Sequence, residues 1–114
     1  MADEFKPTVG GSIPKLEAEA RIAEYDQKLR SDKGTDTKSV FFGTDAIQRI
    51  LKQPNCAGIS FFLSLKYSEY AKKEVVDLIM VGTTEDGTLL WRDDVPTDLG
   101  ADDYATPCPP YCPK

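Results

Sequence analysis

The stretch from Ile59 to Tyr67 constrains the fold most. Ile59, Phe61, Leu63, Leu65 and Tyr67 alternate with Ser60, Ser64 and Lys66, with Phe62 among the latter. A period of two is the mark of a strand whose apolar side packs inward while its polar side meets water. One wet face is typical of an antiparallel sheet. After a charged loop over residues 68–73, the segment VVDLIMVG from Val75 to Gly82 is almost continuously apolar. It reads as a central strand, covered on most of both faces. Asp86-Gly87 is a turn signal, and Thr88 to Trp91 returns as the third strand of a meander.

Two helices precede this meander. From about Pro14 to Arg30, Ala18, Ile22, Tyr25 and Leu29 recur at helical spacing and form one apolar stripe. Pro14 suits the first turn, where its missing N–H is not needed. Glu17 with Arg21, and Glu24 with Lys28, are i,i+4 pairs in the favourable order. Two of the four stripe residues are Ala and Tyr, so the stripe is thin. Ser31 to Lys38 is a polar connection, and Ser39 to Phe42 a short β-prone run. Thr44 then reads as the N-cap of a short helix carrying Ala46, Ile47, Ile50 and Leu51 on one face and stopped by Pro54.

The ends differ in character. Residues 1–12 have no periodicity and read as a flexible N-terminal arm. Residues 13–92 form the α+β domain. Residues 93–114 are an acidic, then Pro/Cys-rich tail. Prolines at 107, 109, 110 and 113 exclude a helix or a central strand there. The expected fold is α+β: two helices packed on a small, mostly antiparallel three- to four-stranded sheet, with an irregular Pro/Cys tail.

At 114 residues the chain suits a single domain with its own core, and 40% hydrophobic with 29% charged residues is an ordinary globular balance. Its formal charge is −5, with basic residues scattered and outnumbered, which disfavours nucleic acid and anionic membrane surfaces as partners. No apolar run reaches the length of a membrane span, and the N-terminus has no secretory pattern; the location expected is the cytoplasm. The chain contains no histidine. That removes Ser-His-Asp and Cys-His catalysis and histidine metal ligands.

What remains for chemistry is cysteine. Cys108-Pro109-Pro110-Tyr111-Cys112 places two thiols three residues apart, and Cys56 stands alone before the long strand. Two such thiols can close a small disulfide or supply half a zinc site. The second ligand pair is absent, leaving a three-thiolate site completed by an Asp as the metal alternative. A redox pair prefers C-x-x-C at a helix N-terminus, which the two prolines and the extra residue break. Pro109, Pro110 and Tyr111 are then structural or interaction residues in a stiffened tail. The acids from Asp93 to Asp103 lack the spacing and terminal Glu of a calcium loop and read as a solvated stretch. Gly10 and Gly11 lack the strand and lysine of a phosphate loop. No catalytic residues and no cofactor are expected.

PNCAGISFFLSL, then VVDLIMVGTTEDGTLL, then CPPYC together resemble a family of small uncharacterised proteins frequent in Bacteroidota. Its members carry a Cys-Gly-Ile strand entry, a hairpin with a VG-x-x-x-x-G pattern and a terminal CPP-x-C. The likeness covers roughly residues 38–112, through Cys56, Gly58, Ile59, Val81, Gly82, Gly87, Cys108, Pro109, Pro110 and Cys112. Thr83, Thr84 and the inserted Ala57 depart from it. The resemblance implies a fold and no activity, and it implies that the three cysteines belong together as a set.

The function expected is a non-catalytic protein-binding or accessory module. The alternative is a thiol-based metal-binding or redox protein using Cys56, Cys108 and Cys112.

Overall fold

The computed structural model describes residues 3–91 and 105–114. Its elements in chain order are α1 (Lys15–Leu29), β1 (Ser39–Phe41), α2 (Thr44–Leu51), β2 (Gly58–Ser68), β3 (Lys73–Thr83), β4 (Leu89–Leu90) and β5 (Thr106–Cys108). The fold is α+β, with one sheet ordered β2-β3-β4 and a second made of β1 and β5. β3 is the central strand of the meander, as its apolar run requires. The acidic stretch from Asp93 to Asp103 lies outside the described residues.

The chain divides into two compact units, and β2 and β3 run through both. The first holds described residues 3–9, 42–64, 78–91 and 105. Its core is apolar: Ile50 of α2 and Met80 and Val81 of β3 are fully buried. α2 begins one residue earlier than capping chemistry predicts. Gly43 takes the N-cap position, and Thr44 is the first helical residue. Gly82 is required by close approach, because a Cβ there would stand 2.7 Å from Gln53 Oε1 and 3.2 Å from both Cys56 Sγ and Ile50 Cγ2. Gly87 has a φ of 87° and lies against the ring of Phe5. Ser60 and Thr83 share a hydroxyl hydrogen bond of 2.6 Å, and Phe42 tilts against Phe61 with centroids 6.5 Å apart.

The second unit holds residues 10–41, 65–77 and 106–114, and its buried residues are Arg30, Asp77 and Cys108. α1 has no fully buried residue: Ala18 and Tyr25 are half-buried, whereas Ile22 and Leu29 are exposed. It is tied down by polar contacts. The Tyr25 hydroxyl donates to Thr37 O at 2.8 Å, and Thr37 Oγ1 donates to Val76 O at 2.5 Å. Arg30, just past the last turn, donates from Nε to Asp36 O and from Nη2 to Lys33 O, both at 2.8 Å, and from Nη1 to Asp26. One guanidinium thereby closes the loop that follows the helix.

The tail contains a strand where the prolines suggested irregular chain. β5 pairs antiparallel with β1 in the register Ser39↔Cys108, Val40↔Pro107 and Phe41↔Thr106. Pro107 is tolerated because each strand of a two-stranded sheet has one open edge, where a missing N–H costs nothing. Lys38 N–H donates to Cys108 O at 2.7 Å and extends the pairing.

The largest correction concerns β2. The alternation is present, but the faces are the reverse of those expected. Phe61, Leu63, Leu65 and Tyr67 are 53%, 79%, 65% and 54% exposed, while Ser60, Ser64, Lys66 and Ser68 are half-buried. Ile59 alone of the apolar set is half-buried.

Candidate functional site

Cys56 is placed by the turn between α2 and β2. Gln53 N–H donates to Ile50 O at 3.2 Å, and Cys56 N–H to Gln53 O at 3.1 Å. Asn55 adopts φ 66°, a left-handed conformation that asparagine accepts better than most residues. Ala57 N–H then donates to Thr83 O at 2.8 Å and starts the pairing with β3. The thiol is half-buried and donates to Gly58 O at 3.2 Å. It lines an open groove of about 550 Å³ with Pro7, Asn55, Thr84, Asp86 and Thr88. The hydroxyls of Thr84 and Thr88 and the Thr88 N–H hold the Asp86 carboxyl below the usual carboxylate range. None of the described residues lining the groove is basic.

Cys108 and Cys112 form a disulfide, with Cα atoms 4.5 Å apart. Cys108 is buried at the end of β5, and Cys112 is exposed. Between them Pro109 is half-buried, while Pro110 and Tyr111 are exposed. Tyr111 N–H donates to Pro107 O at 3.0 Å. The bridge and Cys56 belong to different units. Among the described residues, no group of three Cys, Asp or Glu side chains is placed to hold a metal ion. A three-thiolate site needs Cys108 and Cys112 reduced. Alkylation of the denatured, unreduced chain is therefore expected to add one label, on Cys56, and three labels after reduction, as read by intact mass. Three labels without reduction would return both tail thiols to the candidate metal set.

One exposed feature among the described residues was missed at the level of sequence. It is the row Phe61, Leu63, Leu65 and Tyr67 along β2. Spacing of two residues puts these side chains on one face of one strand. The odd positions from 59 to 67 of that strand are all uncharged. Phe61 and Leu63 belong to the first unit, and Leu65 and Tyr67 to the second.

No family model matches the chain, and neither the curated proteins nor the solved structures contain a match to it.

Proposed function

We propose that this chain is a non-catalytic protein-binding or accessory module, and that β2 carries its binding surface. The observation behind this reading is the exposure of Phe61, Leu63, Leu65 and Tyr67 in one row. Covering such side chains removes apolar area from water at roughly 25 cal/mol per Å², enough to drive association without specific polar contacts. The groove at Cys56 carries one thiol beside carboxylates and hydroxyls, with no basic side chain among the described residues that line it.

The acid excess fits a protein partner better than a nucleic acid. Among the described residues no helix is long and apolar enough to cross a membrane. A cytoplasmic location is part of this proposal. A Cys108–Cys112 bridge persists more readily in an oxidising compartment, so the alkylation experiment on protein from its native source bears on location too. Membership of the small Bacteroidota family is proposed on the CAGIS, VG-x-x-x-x-G and CPPYC motifs.

The test is a quantitative pull-down from native extract with tagged wild type and tagged Leu63→Lys/Leu65→Lys. Both positions are already exposed, so the double variant is expected to keep the wild-type circular dichroism spectrum. Any protein enriched by the wild type, the untagged chain included, should fall at least about tenfold with the variant, the loss of a modest part of one interface. Equal enrichment by both baits would remove β2 as the binding surface. Enrichment of nothing would remove the reading itself.

A further inference from the structure

Residues 3–9 lie in the first unit, together with the turn that carries Cys56 and the hairpin between β3 and β4. That hairpin is a fixed platform. Thr84 N–H donates to Thr88 O at 2.9 Å, and Gly87 N–H to Thr84 O at 3.0 Å. Thr88 N–H also donates to Thr84 Oγ1 at 3.1 Å and to Asp86 Oδ1 at 3.2 Å. The positive φ of Gly87 closes this turn, and its missing side chain leaves a bare surface for a ring. Phe5 occupies that surface: a Cβ at residue 87 would stand 2.9 Å from Phe5 Cε2.

The rest of the segment follows the same side of the unit. Lys6 Nζ stands 3.9 Å from Glu85 Oε1. Pro7 borders the groove that holds Cys56. Phe5, Pro7 and Val9 wall a smaller cavity of about 190 Å³ against Ala57, Ile59 and Ser60. Ile59, the half-buried member of the apolar row on β2, lies at this contact.

The fastenings are light. Phe5 keeps 44% of its surface exposed and Val9 61%. The Lys6–Glu85 pair is exposed on both sides, and such pairs contribute little. The Val9 N–H to Lys6 O hydrogen bond, 3.0 Å, closes a turn within the segment itself. A segment held by few buried contacts opens at low free energy while the core beneath it stays folded.

We propose that residues 3–9 are a releasable strap, seated on the Gly87 hairpin by the ring of Phe5. Closed, the strap screens Cys56 and the Ile59 end of β2. Open, it uncovers both. The strap stands independently of what β2 binds, and its test reads the strap alone.

The experiment is alkylation of the native, unreduced full chain with iodoacetamide, an uncharged reagent, followed by intact mass. With Cys108 and Cys112 bridged, the thiol that reports is Cys56. Phe5→Ala is expected to raise the rate about five- to tenfold, the effect of removing one half-buried aromatic from the closed state. Phe5→Tyr keeps the ring and should stay within about twofold of the wild type. The increase should be the same factor at every pH, because the strap governs access; a change in the thiol itself would shift the rate profile along the pH axis instead. Lys6→Glu, which sets a second carboxylate beside Glu85, should also raise the rate, and more at low salt. Circular dichroism identical to the wild type shows that each variant is folded; should Phe5→Ala fail to fold, Lys6→Glu decides. Wild-type rates in the folded variants, or a rise that is only a shifted pH profile, overturn the strap.

Discussion

Met80→Asp is expected to abolish the cooperative unfolding transition. Met80 lies in the central strand and has 0% of its surface exposed. An aspartate there would either remain charged without a partner or take up a proton, and both cost several kcal/mol. The substitution also removes a long flexible apolar side chain from a fully buried position. A cost of about 4–5 kcal/mol is comparable to the whole stability of many domains of this size. Met80→Leu keeps volume and polarity and should cost less than about 1.5 kcal/mol. The decisive contrast is Leu63→Asp, one strand away. Leu63 is 79% exposed, so in dilute solution that change should stay within about 0.5 kcal/mol. Urea unfolding followed by circular dichroism measures all three. If Leu63→Asp unfolded the chain and Met80→Asp did not, the two faces of the hairpin would have been assigned the wrong way round.

That contrast also marks where sequence reading stops. The period of two from Ile59 to Tyr67 correctly gives a strand, and the apolar run from Val75 to Gly82 correctly gives its central neighbour. Alternation states which side chains share a face; it does not state which face is covered, because covering depends on what else packs there. Elsewhere the polar half of β2 is held by specific contacts, such as the Ser60–Thr83 hydroxyl pair, and these have no periodic signature. β5 was hidden for a different reason. Pro107 argues against a strand in general, but only against one with neighbours on both sides. The disulfide lay within the alternatives that two cysteines three residues apart allow. Gly82 looked like the end of an apolar run, and nothing in the sequence shows that Gln53 and Cys56 would press against it.

Arg30→Met is expected to loosen the second unit, and Arg30→Lys to rescue it only in part. The i,i+4 spacing of Asp26 and Arg30 was as visible as that of the two neighbouring pairs on α1, but spacing cannot show burial. Arg30 is 5% exposed, whereas Arg21 and Lys28 make surface pairs that contribute little. Its guanidinium satisfies the carbonyls of Lys33 and Asp36 at once, and a methionine of similar length leaves both without that donor. Hydrogen bonds to a charged donor contribute roughly 1.5–3 kcal/mol each, so a loss of about 3 kcal/mol is expected in urea unfolding. Lysine keeps the charge but has no planar fork to reach two carbonyls and a carboxylate together. The same corner carries an acid dependence. The Arg30 hydrogen bond holds the Asp26 carboxyl below its ordinary value, and the Lys73 ammonium does the same for Asp36, with the Asp32 N–H adding to it. A carboxyl depressed in the folded state contributes stability that is complete above its unfolded value of about 4 and is lost as pH falls through the folded one. The urea midpoint should therefore be flat near neutrality and fall below about pH 4. In Arg30→Met the carboxyl titration of Asp26, followed by NMR, should move up toward the ordinary range while that of Asp36 stays depressed by Lys73. An Asp26 titration unchanged by the substitution would mean that Arg30 does not hold this loop to the helix.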